Sequence, residues 1–395
     1  GWQDKEGGKI IFIFTAILQS MYTDLKSQSG REILPLPLST ISLSDIFGRM
    51  ISPDLLCLAK KQPAVHQLIL SCAGHPRATV DGLPLVTKEW TANGDISAAD
   101  ISTVELIRAR TRIVGKCKFD LTYINEGIIK EWFCIEGASD QLRQQLLKCG
   151  ILHSLEPDVE FLFPLLLHQW ALQNKRSTYG YHLSELFDAD LILDSNTEKF
   201  MEAVMYHYEA VLRKSMVGKS FDLKDFYQTE NLGGNFKQRT VTAKVPPAID
   251  LVRVVKDFQD MDEVLRHLCE GFLVVSNLQN EKGVEYLAPY HEGENLVVAC
   301  VQCKFVQGSV SWSDIRWKMA LAVEELKKRK INHFPVVYTT ADQKTVRETT
   351  YADGVYMIEK DIFEFTNRLG ILRLHTQKLG ARLADEYPFL QGARL

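Results

Sequence analysis

Short apolar runs alternate with amphipathic stretches along this chain, and the two periods sort it into strands and helices. Residues 9–14 (KIIFIF) are continuous, β-branched and aromatic, which predicts a buried strand. Helical spacing follows at about 15–27 and 43–61. A further helix from Ala64 runs toward Cys72, and Gly74 and Pro76 end or kink it. A polar stretch at 91–95 precedes a helix at about 98–115. Helices at about 121–130 and 139–148 come next, then a strand at 151–155, the turn Glu156-Pro157-Asp158, a strand at 159–163 and a helix opened by Pro164. That order, helix–helix–strand–turn–strand, is the order of a winged helix. Its recognition-helix candidate, residues 140–148, carries only Arg143 and Lys148 as cations. Packing rather than DNA reading is the favoured role.

The polar segment 174–181 (NKRSTYGY) reads as a linker. Beyond it a long helix spans about 197–214, with Thr197 placed to cap it. Strands and loops occupy 220–256, a helix 260–269 and a strand 272–277. A hairpin follows, with arms 283–289 and 296–305 around a turn at 291–295. A helix at about 313–330, strands at 334–340 and 354–358, and a helix at 360–368 complete the pattern, which contains no internal repeat. The expected class is α/β multidomain, with boundaries at 1–115, 116–176 and 182–395.

Composition changes this picture little. With 395 residues, 46% hydrophobic and 24% charged, the chain has ample material for cores, and disorder is excluded as its main state. A net charge of −4 means that any phosphate-binding surface is local. Eight scattered cysteines, most in apolar runs, read as free thiols in a reducing compartment. The apolar runs 10–18 and 161–167 are far short of the roughly 20 residues a membrane span needs. The first follows a polar, acidic start and lacks a small-residue cleavage site, so it does not read as a signal peptide.

The chemistry concentrates in the predicted hairpin. Alternate residues of a strand share a face, so Gln302 and Lys304 point the same way above Val298 and Cys300. Val297, Ala299, Val301 and Cys303 line the other face, and a strand apolar on both faces is central. A lysine at the end of such a strand needs a partner or a task. Pairing the arms brings Glu285 close to Lys304. An acid from the long helix, Glu202 ahead of Glu198 and Glu209, completes a carboxylate–carboxylate–amide–lysine set. Mg²⁺ takes such hard oxygen ligands, acidifies a bound water and shields phosphate charge. Lysine holds the attacking water or the charge growing on the phosphate.

An acid on one arm, Gln302-x-Lys304 on the other, then a helix and a strand, resembles the PD-(D/E)xK nuclease superfamily. The usual pattern has Asp first and Glu second; Glu285 and Gln302 stand here, and Gln removes one charge. The resemblance implies a restriction-endonuclease-like α/β/α domain and Mg²⁺-dependent DNA cleavage. Glu285, Gln302 and Lys304 would be the catalytic set, and Glu202, Glu285 and Gln302 the metal ligands. Upstream, the run at 33–38 (ILPLPL), the helix start at 43–47 (LSDIF) and Ala73-Gly74-His75-Pro76-Arg77 resemble the distal part of a STAND/AAA-type P-loop NTPase. Crinkler effectors and retrotransposon-hot-spot proteins join such an NTPase to a C-terminal nuclease-like domain. The resemblance therefore implies DNA as partner and either a secreted effector acting inside a host nucleus or an intracellular nuclear protein; no membrane partner is expected, from the short apolar runs. A Walker loop is missing: around Gly8, Lys9 and Ile10 the first glycine is replaced by Gln3 and no Ser or Thr follows Lys9. The chain is expected to be a C-terminal fragment or a degenerate protein that does not bind NTP, and Arg77 to brace a helix.

Plainer readings stand beside these. Cys300 and Cys303 face opposite sides of a strand, which favours packing over zinc or redox work. Glu285 and Lys304 also suit a structural ion pair. Residues 327–330 (KKRK) fit a nuclear-import or DNA-backbone cluster as well as a helix C-terminus. Lys219, Lys237, Arg239 and Lys244 lead a cationic excess at 213–244, readable as a phosphate-binding surface near the site or as a solvated face. Trp312 and Trp317 read as core anchors ahead of base-stacking platforms, and no histidine has ligand spacing. The alternative to a nuclease is a catalytically inactive nuclease fold that docks DNA or protein.

Overall fold

The computed structural model describes residues 77–92, 103–117, 121–148, 151–156, 159–191, 197–228, 239–277, 284–304, 323–339 and 354–357, with isolated residues between 55 and 75, at 319–320 and between 362 and 369. The expectations at 8–54, Gly74, Pro76, Lys237, Trp312 and Trp317 lie outside these residues.

A π-helical turn at Ala78–Gly82 leads directly into α1, Leu83–Ala92. The sequence reading missed this helix, although it ends where the polar stretch at 91–95 was expected to begin. Arg77 stands exposed at the start of the turn and makes no side-chain cap. α2 is Thr103–Cys117, α3 Glu126–Trp132 and α4 Asp140–Lys148. The Asn125 carboxamide accepts the Ile128 N–H and caps α3. β1, Leu152–Glu156, and β2, Val159–Leu162, form a two-stranded antiparallel sheet. α5, Pro164–Gln173, begins on its proline, where a missing N–H costs nothing.

The expected linker at 174–181 is corrected: α6 spans Thr178–Leu191. Asn174 closes α5, Ser177 Oγ accepts the Gly180 N–H, and Thr178 Oγ1 donates to the Ala248 carbonyl. The polarity there serves caps. The close packing shows at Gly180, where a Cβ would stand 2.0 Å from the Asn174 carbonyl oxygen. α7, Thr197–Ser215, follows.

The remaining elements build one eight-stranded mixed sheet: β3 (Ser220–Asp222), α8 (Leu223–Tyr227), β4 (Thr240–Thr242), β5 (Val252–Val255), α9 (Met261–Glu270), β6 (Leu273–Ser276), β7 (Tyr286–Glu292), β8 (Asn295–Lys304), β9 (Asn332–Thr339) and β10 (Val355–Met357). The order β10-β9-β8-β7 forks at β7. β6 pairs with its first residues, Tyr286 and Leu287, and β4 pairs at His291. β5 lies parallel to β6, and β8, β9 and β10 are mutually parallel. Since β7 is antiparallel to both β6 and β8, the carboxyl ends of β5, β6, β8, β9 and β10 all leave the sheet at one end. The β7–β8 hairpin closes on two residues, with Gly293 at φ 61° at the first, as such a turn requires.

Each face has its own core. Tyr286, Ala288 and Tyr290 of β7 and Val297, Ala299, Val301 and Cys303 of β8 pack with Val204, Met205, Tyr208 and Val211 of α7. This cluster continues without a break into α2, α3, α5 and α6. On the opposite face Leu287, Val298 and Cys300 pack with Val264 and Leu268 of α9 and with Met319 and Leu326. β5→α9→β6 and β8→helix→β9 both step toward β10. Right-handed crossovers then place both helices on the same face, as observed.

Candidate active site

Glu285 directly precedes β7, and its N–H donates to the Val301 carbonyl at 2.8 Å. Tyr286 pairs with Val301 and Leu287 with Cys300. Opposed residues of an antiparallel pair share a face, so Glu285 lies opposite Gln302 on the α9 side of the sheet. Gln302 Nε2 donates to Glu285 Oε1 at 2.6 Å. Lys304 Nζ stands 3.9 Å from the same oxygen, and the Cys303 N–H donates to Glu285 Oε2 at 3.3 Å. The side chains of Lys304 and Glu285 keep 18% and 15% of their exposure, so solvent still reaches them. Gln302 is 2% exposed, and its Oε1 has no hydrogen-bond partner among the described residues.

Glu285, Gln302 and Lys304 are thus brought together, at the end of the sheet where the parallel strands finish. Ligands of open α/β sheets bind outside such carboxyl ends. On the same face and end lie Ser276, the last residue of β6, and Thr339, paired with Lys304 and fully buried. The sequence reading missed both. Their strand parity with Val274 and Val337 was the available signal.

Glu202 is not brought in by this register. It lies on α7, which covers the other face. Its neighbour one turn on, Tyr206, meets the Tyr286 ring edge-on at 6.1 Å. Glu202, Glu185 and Asp250 add negative field at Tyr206, whose phenol is pushed up to about 12, chiefly by burial. A Glu202 carboxylate acting with Glu285 would have to reach around the Tyr286 end of the sheet. Among the described residues no group of three or more His, Cys, Asp or Glu is placed to hold a metal ion. The oxygen set is therefore Glu285 with the Gln302 amide. It suits a hard cation in chemistry and is small in charge.

The described members of the expected cationic surface lie away from the Lys304 end. Arg239 pairs with Glu292 at the hairpin turn, seven residues along β7 from Glu285. At ~3.3 Å per residue that is about 23 Å away. Lys219 pairs with Glu136 and also donates to Cys134 Sγ at 3.1 Å. Its neighbour Ser220 pairs with Thr242, which pairs with His291 at the same distant end. Lys244 Nζ donates to the Cys269 carbonyl at 3.0 Å. In the 327–330 cluster Lys328 pairs with Glu325 and Arg329 with Asp262. These cations hold secondary structure together; they do not converge on the Lys304 end.

A second polar cluster occupies the α7 face. Glu209, fully buried, accepts hydrogen bonds from Tyr290 (2.6 Å), Tyr286 (2.7 Å) and Tyr227 (3.4 Å). Burial pushes its carboxyl up, and the phenols and Arg213 pull it back. Arg213, one turn along, donates through Nη2 to the carbonyls of Lys244, Gly271 and Pro289. Those three backbones diverge where the sheet forks, so Arg213 closes the fork. A buried pair of histidines lies nearby. The Leu251 N–H donates to His182 Nε2 at 3.0 Å, and His182 Nδ1 lies 2.9 Å from His207 Nδ1. His182 thus carries its proton on Nδ1 and gives it to His207.

Comparison of the chain with family models, with characterised proteins and with solved structures yields no match. The residues themselves therefore carry the functional reading.

Proposed function

We propose that this chain hydrolyses phosphodiester bonds of DNA with the help of Mg²⁺, at the Glu285–Gln302–Lys304 end of the sheet. The observation that carries this reading is the convergence of an acid, an amide and an ammonium from two strands on one face, with Gln302 Oε1 buried and unpartnered among the described residues. Burying an acceptor without a donor costs stability, and a bound cation would satisfy this one. Glu285 and Gln302 Oε1 would hold the ion. When bound, it would lower the pKa of a water and neutralise phosphate charge.

The residues supply the rest. Lys304, fixed by its strand and by Glu285, offers its ammonium to the phosphoryl oxygens as charge grows there. The Cys303 N–H fixes the Glu285 carboxylate through Oε2, leaving Oε1 to face Gln302 and Lys304. The resemblance to PD-(D/E)xK nucleases and to Crinkler-type effectors supports the same reading, with a restriction-endonuclease-like domain at 182–395 and action in a nucleus as its corollaries. The test is incubation of the purified chain with plasmid and Mg²⁺. Nicking or linearisation that is lost in Lys304→Ala and Glu285→Gln is expected; equal cleavage by Lys304→Ala overturns the assignment.

One observation favours a second reading, an inactive nuclease fold that docks DNA or protein. The amide–carboxylate hydrogen bond and the Lys304 ion pair leave the three side chains in contact with one another without any ion. A binder retains DNA in chelator and cleaves nothing.

A further inference from the structure

We propose that hydrogen peroxide joins Cys134 to Lys219 through a sulfur–nitrogen bond, a reversible cross-link between the end of α3 and the segment that leads from α7 into β3. No residue of the Glu285–Gln302–Lys304 set takes part, so the cross-link stands or falls apart from the nuclease reading.

Three side chains converge on the Cys134 sulfur. The thiol donates to Glu136 Oε2 at 3.0 Å and accepts from the Lys219 ammonium at 3.1 Å. Met216, just past α7, sets its Sδ 3.7 Å away and is 1% exposed, so it closes the inner side. The outer side lies under the Lys219–Glu136 ion pair, whose side chains are 41% and 64% exposed. Cys134 is 5% exposed, one side chain below the surface. An exposed ion pair is weak and opens readily, which admits a molecule as small as hydrogen peroxide. Both backbones are anchored. The Cys134 carbonyl accepts from Arg368 Nη1 at 2.6 Å, and the Lys219 N–H donates to the Met216 carbonyl at 3.0 Å. Burial raises the Cys72, Cys117 and Cys300 thiols, as suits inert packing. At Cys134 an amine and a carboxylate stand against the sulfur instead.

The chemistry balances in two steps. The Cys134 sulfur attacks one oxygen of hydrogen peroxide and the O–O bond breaks, giving a sulfenic acid and a water. Sulfur gives up two electrons and the peroxide takes them. Lys219 Nζ, its extra proton released through Glu136 to solvent, then attacks the sulfur. The S–O bond breaks, and the hydroxyl leaves with a nitrogen proton as a second water. The flexible lysine stem closes the remaining distance. Hydrogen bonds to Glu136 and then Cys134 hold the Lys219 amine above its ordinary value, so the linking step quickens as pH rises. Two external thiols reverse the link, restoring thiol and amine and leaving a disulfide.

Peptide mapping by mass spectrometry, without reductant, of the chain treated with hydrogen peroxide reads the link directly. We expect a peptide pair joined at Cys134 and Lys219, lighter by two hydrogen atoms than its parts, more abundant at alkaline than at neutral pH, and lost on addition of dithiothreitol. The link joins residues 85 positions apart and so restricts the unfolded chain. The melting temperature is expected to rise with peroxide and to return with dithiothreitol. Lys219→Arg keeps a cation beside Glu136 but offers no amine. It is expected to give no link and no rise, with Cys134 running on to the sulfinic acid. Wild-type Cys134 that is still a free thiol after peroxide, or that ends as a sulfinic acid or a disulfide with Lys219 unchanged, overturns the cross-link. A joined pair that retains an added oxygen overturns the sulfur–nitrogen bond. The wild-type peptide map alone decides the matter should Lys219→Arg fail to fold.

Discussion

Strand β7 feeds two polar clusters that differ in almost every physical respect. On its α7 face, Tyr286 and Tyr290 give their hydroxyls to Glu209, and Arg213 ties three backbone strands together behind them. That cluster is sealed from water; each Glu209 oxygen has a donor, although Arg213 Nε and Nη1 find no acceptor among the described residues. On the other face, one residue before Tyr286, Glu285 meets Gln302 and Lys304 at the end of the sheet. Two of these three residues keep contact with solvent, and a buried amide oxygen has no donor among the described residues. A polar network sealed inside a protein serves to specify a fold. An open one at the carboxyl ends of parallel strands is placed to meet a ligand. The lesson is that access to solvent and place in the sheet, more than residue type, separate the two uses of a carboxylate.

The comparison is broken most severely at Arg213. Arg213→Met removes the positive charge whose field reaches buried Glu209 and the donor shared by the Lys244, Gly271 and Pro289 carbonyls. Leaving a buried hydrogen-bonding group without its partner costs about 1–3 kcal/mol, more where a charged donor is lost. Urea unfolding is expected to show that loss, with any cleavage falling only as the folded fraction falls. Lys304→Ala is the contrasting change. It is expected to cut cleavage by about 10²–10³-fold, as removal of a charge-stabilising donor does, with the unfolding midpoint nearly unmoved. If Lys304→Ala unfolds the chain and Arg213→Met does not, the assignment of fold and function to the two faces is reversed.

Much of this was readable beforehand, and the reasons are local. The Pro164 start, the β1–β2 pair and the β7–β8 hairpin follow from residues whose backbone preferences act over a few positions. Strand parity put Gln302 and Lys304 on one face, and the pairing of the hairpin arms brought Glu285 near Lys304. The errors have long-range causes. Residues 174–181 are polar because they cap and bridge helices, and a polar cap reads like a linker when its partner, Ala248, is 70 residues away. The cations at 219, 239 and 244 looked available because Glu136, Glu292 and the Cys269 carbonyl are distant in sequence. Glu209 was passed over although its helix neighbours Met205, Tyr208 and Leu212 are all apolar or aromatic. An acid and an arginine one turn apart on an apolar helix face were the signal of a buried network.

Acid sharpens the contrast by acting on the sealed side. His182 and His207 are both buried, and burial holds both imidazoles below their ordinary value of 6.5, His207 down to about 3. A proton added to His207 Nδ1 would face the Nδ1–H of His182, and His182 Nε2 is taken by the Leu251 N–H. The unfolded chain therefore binds protons first as pH falls below 6.5. Stability is fully present above that value and declines through the interval toward 3. Thermal melting between pH 7 and 4 is expected to show the decline, and His207→Leu to make it shallower. A wild-type midpoint that stays level over that range removes the histidine pair from the account.

The smallest expected effect lies at Gly293, and it touches both clusters at once. The register that puts Tyr286 and Tyr290 toward α7 is the same one that puts Glu285, Gln302 and Lys304 toward α9. A slip of one residue would exchange the faces, drawing Glu285 into the sealed core and pushing tyrosines onto the open site. The two-residue turn sets that register, and Gly293 supplies its positive φ of 61°. Nothing stands within 4 Å of a Cβ at this position, so Gly293→Ala tests the backbone alone. A non-glycine residue in that region costs about 1–2 kcal/mol. That is too little to break a pairing that buries both faces, so the pairing is expected to hold and the melting temperature to drop by a few degrees. Cleavage measured well below the melting temperature is then expected to match the wild type. A larger loss of cleavage than of stability would mean that the turn, rather than the two cores, holds Glu285 against Gln302.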